Sequence, residues 1–127
     1  MAVAPFAQRG NLAGGAAPYQ YPMIVNATRE RALAIQAAQV AAVCEWFRTA
    51  KAATSIALHT TGPESGLIAL VVDALNPGLV DSVESSEMPG SLVDVMEARG
   101  KYTDSPSLFS FGFLKEFDFD TLRAMGV

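Results

Sequence analysis

The amino-acid sequence predicts an α/β fold, a short parallel sheet flanked by helices, on three observations. Asn26 to Lys51 carries apolar residues at helical spacing with no Gly or Pro inside. Ser55–His59 (SIALH) and Leu79–Glu84 (LVDSVE) are short runs of strand length. Between them, Glu64–Asn76 (ESGLIALVVDALN) is apolar on most sides, as a buried helix is. Helix, strand, turn, helix, strand is the order of a parallel α/β layer, whose consecutive strands need a crossover helix.

Each element follows from its residues. The stretch 1–18 is rich in Ala, Gly and Pro and reads as a flexible N-terminal arm, with an arm docked on a neighbouring chain as the sharper alternative. Residues 19–127 read as a single α/β domain. Tyr19–Val25 (YQYPMIV) is β-prone, but Pro22 cannot donate to a ladder, so it reads as an edge strand or an extended lead-in. Asn26 or Thr28 can cap the helix that follows. Leu33, Ala37, Val40, Val43, Cys44 and Phe47 form its apolar stripe, with Gln36 and Gln39 mostly off it. SIALH suits a parallel strand covered by helices on both faces. Thr60, Thr61, Gly62 and Pro63 form a tight break, and Pro77-Gly78 ends the next helix. Ser91–Arg99 is a helix with Ser91 and Asp94 as a capping box and Gly100 as its C-cap. Leu108–Phe117 holds four phenylalanines and reads as a helix or an apolar loop. Asp118 or Asp120 caps a last helix running to Met125.

Composition narrows the function classes. Half of the 127 residues are apolar, 17% are charged, and the net charge is −4. The nine Lys and Arg residues are scattered, which argues against a phosphate-binding surface and hence against nucleic acid. One cysteine, Cys44, excludes an internal disulfide and reads as a packed thiol. With a single histidine as well, no structural zinc site is expected, and no cofactor. No apolar run reaches the roughly 18 residues of a membrane span. No secretory signal pattern is visible, so a cytoplasmic location is the default expectation.

The stretch His59-Thr-Thr-Gly-Pro-Glu-Ser-Gly-Leu-Ile-Ala-Leu, following an apolar strand, resembles the nucleophile-elbow region of α/β-hydrolases, closest to the acetyl-xylan-esterase-like and prolyl-oligopeptidase-like branch. The helix before it, the strand after its helix, and the Ser-Pro, Phe-Gly-Phe-Leu and Phe-Asp sequences within Tyr102–Met125 are similar in order to that branch over roughly residues 19 to 125. The resemblance implies a partial three-layer fold with a degenerate elbow. Glu64 stands where that family has its nucleophilic serine.

The candidate catalytic residues are Ser65, Glu64 and His59. Glu64 has no hydroxyl to deprotonate, although a carboxylate can act as a nucleophile. Its structural reading is the acidic end of a capping box, Thr61-Gly-Pro-Glu64, with Pro63 in the first turn. Ser65 lies one residue, about 100° of helix, past the elbow position. His59 precedes the elbow, reads as a buried or rim histidine, and has no later histidine to complete a triad. Thr60, Thr61 and Gly62 are candidate ligand-binding residues, because the break after a parallel strand offers hydroxyls and backbone N–H groups. Glu84 and Glu87 read as a solvated strand-end cluster.

Two confident strands do not make a stable sheet in water and leave unpaired edges. The expectation is therefore a homo-oligomer or a partner chain that completes the sheet. The leading functional reading is a non-catalytic α/β-hydrolase-like protein or fragment that is stable as an assembly. The alternatives are an esterase-type hydrolase completed by another chain, and a small-molecule or structural interaction module using Phe109, Phe111, Phe113 and Phe117.

Overall fold

A computed structural model describes residues 1–3, 25, 31–98, 108 and 116–126. In chain order its elements are α1 (Ala32–Ala50), β1 (Ala57–Thr61), α2 (Pro63–Leu75), β2 (Ser82–Ser86), α3 (Leu92–Glu97) and α4 (Phe119–Met125). The strands β1 and β2 are parallel neighbours, with Ala57 opposite Ser82 and Thr61 opposite Ser86. The α/β class and the parallel pair joined through a buried helix stand as the sequence predicts.

The organising element is α2. Every residue from Gly66 to Ala74 is buried, and Leu67 and Val72 are wholly so. An all-round apolar helix must be covered on several sides. Here α1, α4 and the inner face of the sheet cover it. From α1 come Leu33, Ala37, Val40 and Cys44; from α4 come Phe119 and Leu122; Leu58 and Val83 pack from the strands.

Helix α1 begins at Ala32 rather than at Asn26. Arg31 stands at its N-cap in an extended conformation without a side-chain cap, while Ala32 and Leu33 are already buried. Packing sets this start, not a capping side chain. Gln36, expected off the apolar stripe, is fully buried. It lies three residues from Leu33 and four from Val40, so helix geometry puts it on the same face. No buried side-chain polar atom among the described residues lacks a hydrogen-bond partner, which is the condition for tolerating this amide in a core.

Both strands begin later than the apolar runs that announce them. Ile56, Leu79 and Val80 lead into the ladder, with Ile56 and Val80 buried in the core, whereas the paired residues alternate between exposed and half-buried. The outer face carries Ala57, His59 and Thr61 beside Ser82, Glu84 and Ser86, all exposed. Strands covered by helices on both faces are therefore not found at these positions. The polar residues Thr60 and Thr61, expected to form the break, belong to β1. Their hydroxyls pair across the ladder, Thr60 Oγ1 donating to Ser85 Oγ at 2.8 Å and Thr61 Oγ1 lying 3.2 Å from Ser86 Oγ.

The Ser91–Asp94 capping box forms as expected at α3. Asp118 caps α4, and its Oδ1 accepts from two amides, Phe119 N–H at 2.7 Å and Leu92 N–H at 2.8 Å. One carboxylate thus joins the starts of two helices. Of the Tyr19–Val25 segment only Val25 is described, and it is helical. Of Leu108–Phe117, Leu108 is buried in a 3₁₀ turn and Phe117 packs against the core. The arm beyond Val3, the caps Asn26 and Thr28, Gly100, and Phe109, Phe111 and Phe113 lie outside the described residues.

Replacing Asp118 with alanine removes a cap and orphans a second amide. The expected cost is about 1–2 kcal/mol. Urea unfolding should show a lower midpoint with an unchanged slope.

Candidate functional site

The residues singled out by sequence meet at the C-terminal end of β1, where ligands gather in open parallel sheets. The turn there is sharp, but its special residue is Gly62. Its φ of 86° lies in the left-handed region, and its N–H donates to Ser86 O at 2.9 Å. A nucleophile elbow places the strained conformation at the nucleophile itself. Here Glu64 sits in the first turn of α2, two residues past the apex, with ordinary helical company. The carboxylate therefore does not stand at the tip of the turn.

The expected Thr61–Glu64 capping box does not form. Gly62 is the N-cap and has no side-chain cap, because Thr61 is still in the ladder and its hydroxyl meets Ser86. Pro63 occupies the first helical turn as predicted, and the acidic Glu64 sits there in favourable relation to the helix dipole. Ser65 Oγ donates to Thr61 O at 2.7 Å. His59 Nδ1 lies 3.1 Å from Glu84 Oε2, directly across the ladder, with the two side chains 67% and 69% exposed. Ser65 Oγ donates to a carbonyl and not to the imidazole, whose Nδ1 meets Glu84, so no nucleophile–base pair joins Ser65 and His59. His59 is a rim residue, not a buried one.

Beside this end runs a groove of about 580 Å³. It touches all five consecutive residues of β1. Successive strand side chains point to opposite faces, so a groove meeting all of them runs along the strand's edge. Its apolar wall includes Val40, Val43 and Phe47 of α1 and Ile68 of α2, and its polar end holds His59, Thr60, Thr61 and Ser65.

The backbone directions agree. Ile56 O accepts from Asp81 N–H, and Gly62 N–H donates toward β2. Alternation then turns the backbone groups of Leu58 and Thr60 toward β2 and those of Ala57, His59 and Thr61 toward the groove. Thr61 O is taken by Ser65. Among the described residues no strand pairs with this edge.

The edge is held in place by a residue that the sequence does not advertise. Arg48, in the last turn of α1, donates to Thr54 O at 2.9 Å, to Leu79 O at 3.3 Å and to Asp81 Oδ2 at 2.6 Å. The same Asp81 oxygen accepts from Ile56 N–H at 2.7 Å. The Ile56 amide, and beside it the Arg48 guanidinium and the Ser55 hydroxyl, hold the Asp81 carboxyl below the usual carboxylate range. Cys44, buried in the groove's wall, has its thiol pushed up by burial, against a smaller opposing pull from Arg48. A basic residue near a helix end is too common for sequence alone to pick out, and all the partners of Arg48 but Asp81 are backbone carbonyls, which leave no trace in composition.

Asp73 was equally silent. It is buried on α2 and lines a second cleft of about 380 Å³ with Ser85 and Arg123. Among the described residues no group of acidic, Cys and His side chains could hold a metal ion, and no helix is long and apolar enough to cross a membrane. Among known proteins, no family model, no curated protein and no solved structure matches the chain.

The depressed Asp81 pKa makes a signed prediction. Asp81 binds protons less readily folded than unfolded, so its contribution is fully present above its unfolded pKa of about 3.9 and is lost as pH falls through the lower folded value. Thermal melts between pH 6 and pH 2 should show the wild type losing stability in the acid limb. Asp81→Asn should be less stable at neutral pH and flatter in that limb.

Proposed function

We propose that this chain is a non-catalytic, α/β-hydrolase-like unit that works by assembly: an extended segment of another chain adds to the open edge of β1. The observation that carries this reading is the groove bordering all of β1 and walled by apolar side chains, together with the strand alternation that turns the backbone groups of Ala57 and His59 away from β2. Strand addition uses main-chain hydrogen bonds for affinity and pockets for alternate side chains for specificity, and this groove offers both. Among the described residues the sheet has two strands, and an unpaired edge in so small a sheet is otherwise a liability.

A homo-oligomer is the simplest form of such an assembly. A third strand and further helices would then extend the parallel pair toward the three-layer arrangement of the α/β-hydrolase resemblance. Hydrolysis is the weaker reading. Ser65 and His59 border the same groove, but the Ser65 hydroxyl donates to Thr61 O and not to the imidazole, whose Nδ1 meets Glu84.

Two measurements test the proposal. Analytical ultracentrifugation of the full chain should show association that increases with concentration, and Ala57→Pro should weaken it. Proline at this exposed first strand position removes a groove-facing N–H and leaves the ladder to β2 intact. A wild type that is monomeric at every concentration and indifferent to Ala57→Pro refutes the reading. Second, turnover of a short-chain activated ester should be no greater for the wild type than for Ser65→Ala. A loss of turnover on that substitution would establish hydrolysis instead.

A further inference from the structure

The β1-edge groove already has a neighbour from its own chain. Met1, Ala2 and Val3 border it together with Val40, Cys44 and Phe47 of α1 and the whole of β1. The segment borders the groove while staying open to solvent, with Met1 84% exposed and Val3 41% exposed. Its composition suits the place. Met1-Ala-Val3 carries no charged side chain, and the groove's wall at α1 is apolar.

We propose that the Met1–Val3 segment is a displaceable strap over the β1-edge groove, so that an incoming strand must move it aside before pairing. The inference rests on the reading of this groove as the assembly face. It adds a regulator, because the chain's own segment and the partner's strand compete for one surface. A contact that leaves its own residues largely exposed is weak, and a weak contact is readily displaced. Its effect is to lower the fraction of chains whose edge is open, which lowers apparent affinity by the same fraction.

Cys44 supplies the readout. It is the chain's one cysteine, is buried, and lines the same groove that Met1, Ala2 and Val3 border. Its reaction with an aromatic disulfide reagent at pH 8 therefore reports how often the groove is open, measured on the 127-residue chain at a concentration low enough to keep it monomeric.

Val3→Glu places a carboxylate against the apolar wall and should free the strap, raising the labelling rate about fivefold or more over wild type. Val3→Leu should keep the wild-type rate. The melting temperature of both variants should match wild type, which separates strap release from general loosening. In ultracentrifugation, Val3→Glu should associate at lower concentration than the wild type.

An unchanged labelling rate in Val3→Glu overturns the strap. So does a rise that Val3→Leu shares, or one that tracks a fall in melting temperature. Because association of the wild type and its loss in Ala57→Pro are read separately, the strap can fail while the assembly reading stands. A chain that never associates removes the assembly reading, whatever the thiol does.

Discussion

The arrangement depends on one oxygen atom. Asp81 Oδ2 accepts from the Arg48 guanidinium and from the Ile56 amide, while Asp81 returns its own N–H to Ile56 O at 2.8 Å. Those few bonds tie the end of α1 to the points where β1 and β2 begin. The ion pair is partly exposed, 25% and 47% for its two side chains, so its Coulomb energy in isolation is modest. Its importance is geometric. A parallel pair of five-residue strands has little else to fix its register, and the offset of Ala57 against Ser82 follows directly from the Ile56–Asp81 exchange. Arg48 also holds Thr54 O and Leu79 O, so the two approaches to the sheet are fixed by the same side chain.

From that anchor the rest can be followed outward. With the strands registered, α2 is drawn across their inner face, and its all-round apolar surface requires α1 and α4 as further cover. The hydroxyl ladder Thr60–Ser85 and Thr61–Ser86 extends the pairing to the far end, where Gly62 turns the chain into α2. Hydroxyls are suited to half-buried strands of this kind. They satisfy each other where water is scarce and tolerate water where it is not. The consequence for chemistry is restrictive. The same hydroxyls, together with Ser65 on Thr61 O, are engaged in holding backbone in place, and a group so engaged has no base to activate it.

Much of the fold was legible in the sequence because its signals are local. The Ala-rich periodic run, the apolar helix between Pro63 and Pro77, and the Ser91–Asp94 box each follow from spacing and residue type alone. The strand limits were not legible. Apolar character marks Ile56, Leu79 and Val80, which lead into the ladder, while the paired positions are half polar and look like turn residues until their partners are known. Gln36 was misplaced for a related reason: its polarity outweighed its position three residues from Leu33. At the candidate site, the sequence correctly brought His59, Thr60, Thr61, Gly62, Glu64 and Ser65 to one strand-to-helix turn. It put the strain at the wrong residue. Glycine is the residue that adopts positive φ at little cost, so Gly62 takes the bend and leaves Glu64 to the helix.

That the bend lies at position 62 and not at position 64 sets this turn apart from a nucleophile elbow, whatever the side chain at 64. In a working elbow the turn itself projects the nucleophile into the open and presents backbone amides to an oxyanion. Here the Gly62 amide donates to Ser86 O, and the next residue is a proline, which has no amide to offer. A serine placed at position 64 would sit in a helical turn, two residues past the apex at Gly62. Restoring the hydroxyl would not restore the geometry. The edge of β1 away from β2, which no described strand pairs, has the opposite property, because its outward amides and carbonyls follow from strand alternation and need no special side chain. The proposed strand addition therefore rests on backbone direction and not on the identity of any one residue.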